Sequence, residues 1–380
     1  MGDYVRQMPN QGSADLARRP SLAMRVHIDV PLLLLLMALT GYGLFVLYSA
    51  SGKDIGAVVR QGRYFLVAYV AMFALAQVSL QRLMRWAPWL YLVGLGALVA
   101  VIFVGVGAKG AQRWLEIAGF RFQPAEIMKL VVPMGVGWYL ADRALPPRFS
   151  SVLIALFLLG LPAGLILIQP DLGTALLIAA SGLFVLFMAG LGWRYIFGAV
   201  VLAVASAWPA WMFVLKDYQK QRILTMLDPQ SDKLGAGWNI IQSKTAIGSG
   251  GWEGKGWMMG TQSQLDFLPE SHTDFIIAVL AEEFGLRGVL MLMSIYLLIL
   301  LRAFWIGVRA DSSYGRMMAG SLTLTFFVYI FVNMGMVAGL LPVVGVPLPL
   351  VSAGGTSLVT LMAGFGILMA VSTQRRMVGH

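Results

Sequence analysis

The sequence predicts an all-α polytopic integral membrane protein, with about ten transmembrane helices and one long extracytoplasmic loop between helices seven and eight. Three observations carry that expectation. Hydrophobic residues fill 58% of the 380 positions and charged residues only 12%, a balance foreign to ordinary soluble domains. Several apolar runs reach the ~20 residues that a spanning helix needs. The ~10-residue alternating segments that mark a transmembrane β-barrel are missing from the pattern.

Taken in order, the ten helices fall near residues 30–49, 64–78, 89–106, 127–140, 151–168, 175–191, 196–215, 288–305, 317–338 and 358–372. Residues 1–28 form a polar tail with arginines at positions 6, 18, 19 and 25. The first apolar run is too long for a signal-peptide core and lacks a clear small-residue cleavage site, so it should act as an uncleaved first helix. Residues 29–376 read as one ten-helix domain, and 377–380 as a second short tail. Pro146 and Pro147 break the chain after the fourth helix. The segment 216–273 reads as the long loop. The Gly/Pro-rich segment 339–357 suits a re-entrant or broken-helix stretch lining a cavity, or else a long extracellular loop.

An even number of spans puts both termini on one side. Lysines and arginines divide evenly, fourteen of the 28 on each side, so raw counting does not orient the chain. Six of the far-side cations lie in the long loop, where the rule is weakest, and the far side also holds thirteen of the eighteen acids. Both termini are therefore expected in the cytoplasm, and the long loop on the outer, periplasmic face of the membrane. The net charge of +10 fits loop cations beside anionic headgroups, not nucleic acid. The chain has no cysteine and only three histidines, which excludes disulfides and thiolate metal sites and argues against a multi-histidine metal site. No internal repeat is evident, which disfavours transporter folds built from inverted halves.

The stretch Gln242–Glu283 concentrates the chemistry. It sets Lys244, Glu253, Lys255, Asp266, Glu270, His272, Asp274, Glu282 and Glu283 between apolar segments. Ionisable groups beside a bilayer are expensive without a task. Asp274, in Ser271-His272-Thr273-Asp274-Phe275, is either a helix-start residue complementing the dipole or a general base at the membrane face. Glu282 lies two turns on, close enough to crowd it. His272 is either an interfacial hydrogen-bonder or a proton-transfer group. Glu282-Glu283 reads equally as a solvated turn. The glycines of AIGSGGWEGKGWMMGTQS either let backbone N–H groups approach a phosphate or form a flexible interfacial loop anchored by Trp252 and Trp257.

A second cluster comprises Arg113, Arg121, Gln123, Glu126 and Lys129. Lys129 falls inside the fourth helix, three residues after Glu126, so an i,i+3 ion pair competes with a cationic seat for a pyrophosphate headgroup. Asp171, in QPDLGT, reads as the cap of the sixth helix. Asn333, inside the ninth, reads as an interhelical hydrogen-bonder.

At AQRWL, RFQPAEIMK, QPDLGT, DYQKQRI, LGAGWNIIQSK, AIGSGGWEGKGW, GTQSQLDFLPESHTDFIIAVLAEEFG and FVNMGMVAGLLPVVGVPLPLVSAGG the chain resembles the SEDS family. The resemblance covers roughly residues 25–376 and is strongest to members that serve cell elongation. It implies a peptidoglycan glycosyltransferase that polymerises lipid II on the outer face of the bacterial cytoplasmic membrane. It implies two kinds of partner: a class B penicillin-binding protein for transpeptidation, and the elongation machinery. Asp274 would be the essential carboxylate, with importance for Arg113, Glu126 and Lys129. A divalent cation, Mg2+ or Mn2+, is implied without its ligands, and no organic cofactor. One departure stands at Ala353, where the family commonly has tyrosine.

The mechanism expected on this basis is inverting. Asp274 takes the proton of an acceptor sugar hydroxyl, that oxygen attacks the anomeric carbon, and undecaprenyl pyrophosphate leaves. Arg113, Lys129 and Lys255 are the cations expected to receive the diphosphate. Two alternatives are a lipid II flippase, which needs a continuous polar path through the bundle, and a non-catalytic scaffold for the partner synthase.

Overall fold

The computed structural model describes residues 26–108, 111–117, 120–232, 235–264, 267 and 270–373. The tail 377–380 and all but the last residues of the tail 1–28 lie outside the described residues, as does Asp266.

The chain runs through α1 (Val30–Ala50), α2 (Ile55–Ala76) and α3 (Leu80–Val104) into three short strands, β1 (Val106–Ala108), β2 (Ala111–Ile117) and β3 (Phe120–Phe122). It continues through α4 (Pro124–Ala141), α5 (Phe149–Ile168), α6 (Leu172–Met188) and α7 (Trp193–Pro209), the last extended by a π-helical turn, Ala210–Val214. Then follow α8 (Asp217–Leu227), α9 (Ala236–Gly250), α10 (Ile276–Val308), α11 (Ser313–Val337) and α12 (Thr356–Thr373).

All ten helices of the sequence reading are present. Eight are long and apolar enough to cross a membrane. The remaining two are α6, an apolar helix of 17 residues, and α4, 18 residues long and carrying Glu126 and Lys129. Helices suit lipid because each satisfies its own backbone polar groups. Four of them start at a side-chain cap: Asp29, Asp54, Asp171 and Ser312 each accept a first-turn N–H. In α1 the buried residues Leu32, Leu36, Leu39, Gly43, Val46, Leu47 and Ala50 recur every three or four positions, while Leu34 and Met37 face outward.

The core has two main parts. One gathers residues of α1, α2, α10, α11 and α12; the other gathers α3, α4, α5 and α6. They meet where α4 and α6 pack on α11. Helix α7 stands apart, with none of its apolar span buried. The two described ends of the chain lie together: His27 Nδ1 is 2.9 Å from Thr373 Oγ1.

Two segments differ from the sequence reading. The stretch 216–273, expected as a loop, holds α8 and α9, which pack on each other, and α9 packs along α10. Helices this short are marginal on propensity alone and form through packing. Between α3 and α4, strands β1, β2 and β3 form an antiparallel three-stranded meander, a small β element in a chain expected to be all-α. The segment 339–357, by contrast, runs mainly as non-helical backbone with Val346, Leu348, Leu350 and Val351 buried, as a re-entrant stretch requires.

Candidate active site

The two halves of the core part at the end of the bundle remote from the chain termini and leave a cavity of about 560 Å3. Its wall draws on both halves. Glu126 and Lys129 come from α4, Asp171 from the start of α6 and Arg113 from β2; Asp274 comes from the turn before α10, and Tyr329 from α11. Residues 353–357 bring in the amino end of α12, while Arg222 and Asn239 enter from α8 and α9. Such a volume lies within the ~300–1,000 Å3 typical of ligand sites.

Asp274 is not the N-cap of α10: the helix begins at Ile276, and its N-cap is Phe275, which makes no side-chain capping bond. The backbone beneath Asp274 is instead pinned by the re-entrant segment. The carbonyl of His272 accepts from the Ala353 N–H at 2.9 Å. The Thr273 carbonyl accepts from the Ser352 hydroxyl, and the Asp274 carbonyl from Asn333 Nδ2 at 2.9 Å. Asn333 spends its second N–H on the Val346 carbonyl at 2.8 Å. The interhelical role expected of Asn333 is therefore realised, with Asp274 as one of its two partners. Three consecutive carbonyls thus fix the backbone that carries the Asp274 carboxylate on the cavity wall. Across from it is Gly345, where an added Cβ would lie 3.6 Å from Asp274 Oδ2.

Glu126 and Lys129 form the expected i,i+3 pair, Oε1 to Nζ 2.7 Å, with side chains only 9% and 8% exposed. It is a pair inside the bundle, not one on a helix surface. Lys129 also sits 5.2 Å from the centre of the Tyr329 ring. A buried ion pair is a poor stability device, since desolvation cancels much of its attraction. Its place on the cavity wall suggests function instead.

Arg113 is committed to the turn that starts α6. Its Nε and Nη2 donate to the Gln169 and Pro170 carbonyls, and Nη1 is 3.8 Å from Asp171 Oδ2. Asp171 caps α6 through Thr174 N–H at 3.2 Å and takes Gln123 Nε2 at 3.2 Å. Capping was the reading from sequence; the ion pair with Arg113 adds to it.

Four of the sequence candidates, Asp274, Arg113, Glu126 and Lys129, thus line one cavity. Lys255 and His272 do not line it. Lys255 Nζ bonds Glu282 Oε1 at 2.7 Å and Thr261 Oγ1 at 2.8 Å. Glu282 is fully buried and takes the Thr261 and Gln262 N–H groups as well. It is spent on these partners, not on Asp274, and it lies in no solvated turn. The glycines around Lys255 bring backbone to backbone: the Lys255 and Gly256 N–H groups donate to the Glu282 and Glu283 carbonyls, each at 3.0 Å. Gly254 and Gly285, both at positive φ, face each other, and a Cβ on Gly254 would strike the Glu283 carbonyl. The close approach expected of a ligand is made by α10 itself. The imidazole of His272 is exposed, and its carbonyl makes the useful contact.

Arg222 and Asn239 escaped sequence reasoning because both fell in the supposed loop. A signal existed: Gln219, Arg222 and Thr225 recur every third residue on α8, and Gln219 and Thr225 are buried.

Residues 30–377 match the family model for the cell cycle proteins FtsW, RodA and SpoVE, and the chain belongs to that family. It is 53% identical over 354 residues to the peptidoglycan glycosyltransferase MrdB of Escherichia coli strain K12, covering 93% of this chain and 96% of the relative. It is 37% identical over 360 residues to the probable peptidoglycan glycosyltransferase FtsW of Geobacter metallireducens, covering 92% and 95%. Among solved structures, a chain of a peptidoglycan synthase complex that coordinates polymerization and crosslinking superposes with a TM-score of 0.80 at 31% identity, covering 90% and 97%. The rod shape determining protein RodA of Thermus thermophilus superposes with a TM-score of 0.68 at 28% identity, covering 90% and 96%.

Proposed function

We propose that the Asp274 cavity is where this chain, a peptidoglycan glycosyltransferase like the relatives it matches, polymerises lipid II into β-1,4-linked glycan. The observation that carries the reading is the convergence in one cavity of a backbone-pinned carboxylate, Asp274, with the cations Arg113, Lys129 and Arg222.

Asp274 accepts the proton of the acceptor 4-hydroxyl. The freed oxygen pair forms the new bond to the anomeric carbon of the donor, and the bond from that carbon to undecaprenyl pyrophosphate breaks. Displacement from the opposite face inverts the centre, so one base suffices and no sugar–enzyme bond forms. The leaving diphosphate needs positive charge, not a proton. The cavity's position at one end of the bundle lets a sugar enter from water while its lipid stays in the bilayer. We place this end on the periplasmic side, with the termini cytoplasmic.

The residues fit a hard divalent cation, Mg2+ or Mn2+, in a limited way. Among the described residues no cluster of three or more histidine, aspartate or glutamate side chains is placed to hold a metal. Glu126 Oε2, however, is buried without a hydrogen-bond partner on the cavity wall. A cation held there by Glu126 would take its other ligands from diphosphate oxygens and water, as Mg2+ ordinarily does. Bound, it would offset charge on the diphosphate. The partner in this reading is a class B penicillin-binding protein, which crosslinks what this chain polymerises within the elongation machinery.

The test is Asp274→Ala in the purified full chain with its partner and Mg2+, fed labelled lipid II. Loss of a general base costs about 10²–10⁴-fold, so glycan chains should vanish while expression and melting persist. Unchanged polymer would sink the assignment.

A further inference from the structure

We propose that Arg222 is the side chain that receives the departing diphosphate. The inference rests on reading the cavity as the transferase site and deepens it. It follows from charge accounting. The cations expected from sequence to serve the diphosphate were Arg113, Lys129 and Lys255. Each stands beside a carboxylate: Asp171 at 3.8 Å, Glu126 at 2.7 Å and Glu282 at 2.7 Å, respectively. Lys255 is also off the cavity wall. Among the described residues, the charged ones around the cavity are Arg113, Lys129, Arg222, Glu126, Asp171, Glu270 and Asp274, three cations and four carboxylates. An anionic leaving group entering that balance needs a cation whose charge is not already matched.

Among the described residues, Arg222 is the one cavity cation without an ion-pair partner. It lies one turn from buried Gln219 and one turn from buried Thr225, so the packed face of α8 turns it inward. Its guanidinium centre is 5.9 Å from the Tyr218 ring, a contact that steadies the head without neutralising it. Asn239 of the adjoining α9 also lines the cavity, and its buried Oδ1 lacks a partner. A planar, permanently charged fork suits two phosphate oxygens at once.

The experiment uses the full chain with its partner synthase and compares Arg222→Gln and Arg222→Lys with the unsubstituted protein. Affinity for inorganic pyrophosphate with Mg2+ is measured by calorimetry in an Asp274→Ala background, which removes turnover from the readout. Polymerisation of lipid II is measured with Asp274 intact, and melting is followed throughout. Arg222→Gln should weaken pyrophosphate binding about tenfold and slow polymerisation to a similar degree, with unchanged melting. Arg222→Lys, which keeps the charge and loses the planar fork, should weaken binding measurably but by less than Arg222→Gln does. Equal loss in both variants, or unchanged pyrophosphate affinity in Arg222→Gln, overturns the proposal. So does a loss seen only in micelles containing phosphatidylglycerol, which would make Arg222 a holder of bilayer headgroups. Polymerisation surviving Asp274→Ala would remove the general base yet leave the Arg222 binding result standing, so the two readings fail separately.

Discussion

Two carboxylate-bearing regions bracket the first turns of α10, and they have opposite fates. Beyond the helix start, Glu282 is sealed from solvent and bonded to Lys255, Thr261 and Gln262, and the Glu283 carboxylate takes the Ser49 hydroxyl. The glycine-rich backbone lies directly on it. Before the helix start, Asp274 occupies a turn whose side chain looks into about 560 Å3 of open space. Both regions are equally polar in sequence. The difference is that Glu282 is sealed among its own partners, whereas Asp274 lines a cavity with room for a ligand. In a membrane protein, charge density marks where the chain has paid for polarity; open volume beside it marks where a ligand goes.

The sharpest break of that contrast is Glu282→Ala. It strips Lys255 Nζ and two backbone N–H groups of their acceptor and opens a void beneath the kink at Gly285. Removing one member of such a pair costs about 3–5 kcal/mol. A thermal scan of the purified chain should show a large loss of stability, and activity should fall only as folded protein falls. Asp274→Ala should do the reverse, with activity gone and melting unmoved. If Glu282→Ala melts like the unsubstituted protein yet is inactive, the glycine-rich region belongs to the site after all.

How much of this was legible in the sequence follows from the same contrast. Ten helices were readable because length and apolarity alone define a span, and lipid tolerates no other open structure. The caps at Asp54 and Asp171 had a local signature, a short polar side chain before an apolar run. Helices α8 and α9 had none. They are short, and α9 carries glycine and serine among its residues, so only packing along α10 makes it helical. Sequence also placed Lys255 and Lys129 on a par as cations near the membrane face. Only coordinates reveal that Lys255 answers Glu282 across 27 residues while Lys129 stands on the cavity wall.

A smaller effect sharpens the comparison from the cavity side. Asn333 is completely buried, touches no open space of its own, and holds the Asp274 and Val346 carbonyls together. Asn333→Ala leaves two carbonyls short of a donor. An unsatisfied buried group costs about 1–3 kcal/mol, so a loss of about 2 kcal/mol in stability is expected. Because the carbonyl freed is that of Asp274 itself, the rate should fall further than stability explains, with pyrophosphate affinity preserved. A variant that loses stability and keeps its full rate per folded molecule would mean that the pinning of residue 274 does not matter to catalysis.

The smallest effect is the most discriminating for what lies beside the base. Histidine is the side chain whose chemistry best suits proton transfer near neutrality, and His272 sits two residues before Asp274. Its ring is nevertheless exposed and does not line the cavity. What position 272 contributes is its backbone carbonyl, which takes the Ala353 N–H and joins the turn to the re-entrant segment. Any residue supplies that carbonyl. His272→Ala is thus expected to change stability by less than about 0.5 kcal/mol, as exposed substitutions do, and to leave the polymerisation rate within about twofold. The pH–rate profile is the telling measurement. Were the imidazole a second proton carrier, one limb of that profile would disappear in His272→Ala; with Asp274 acting alone, the profile keeps its shape.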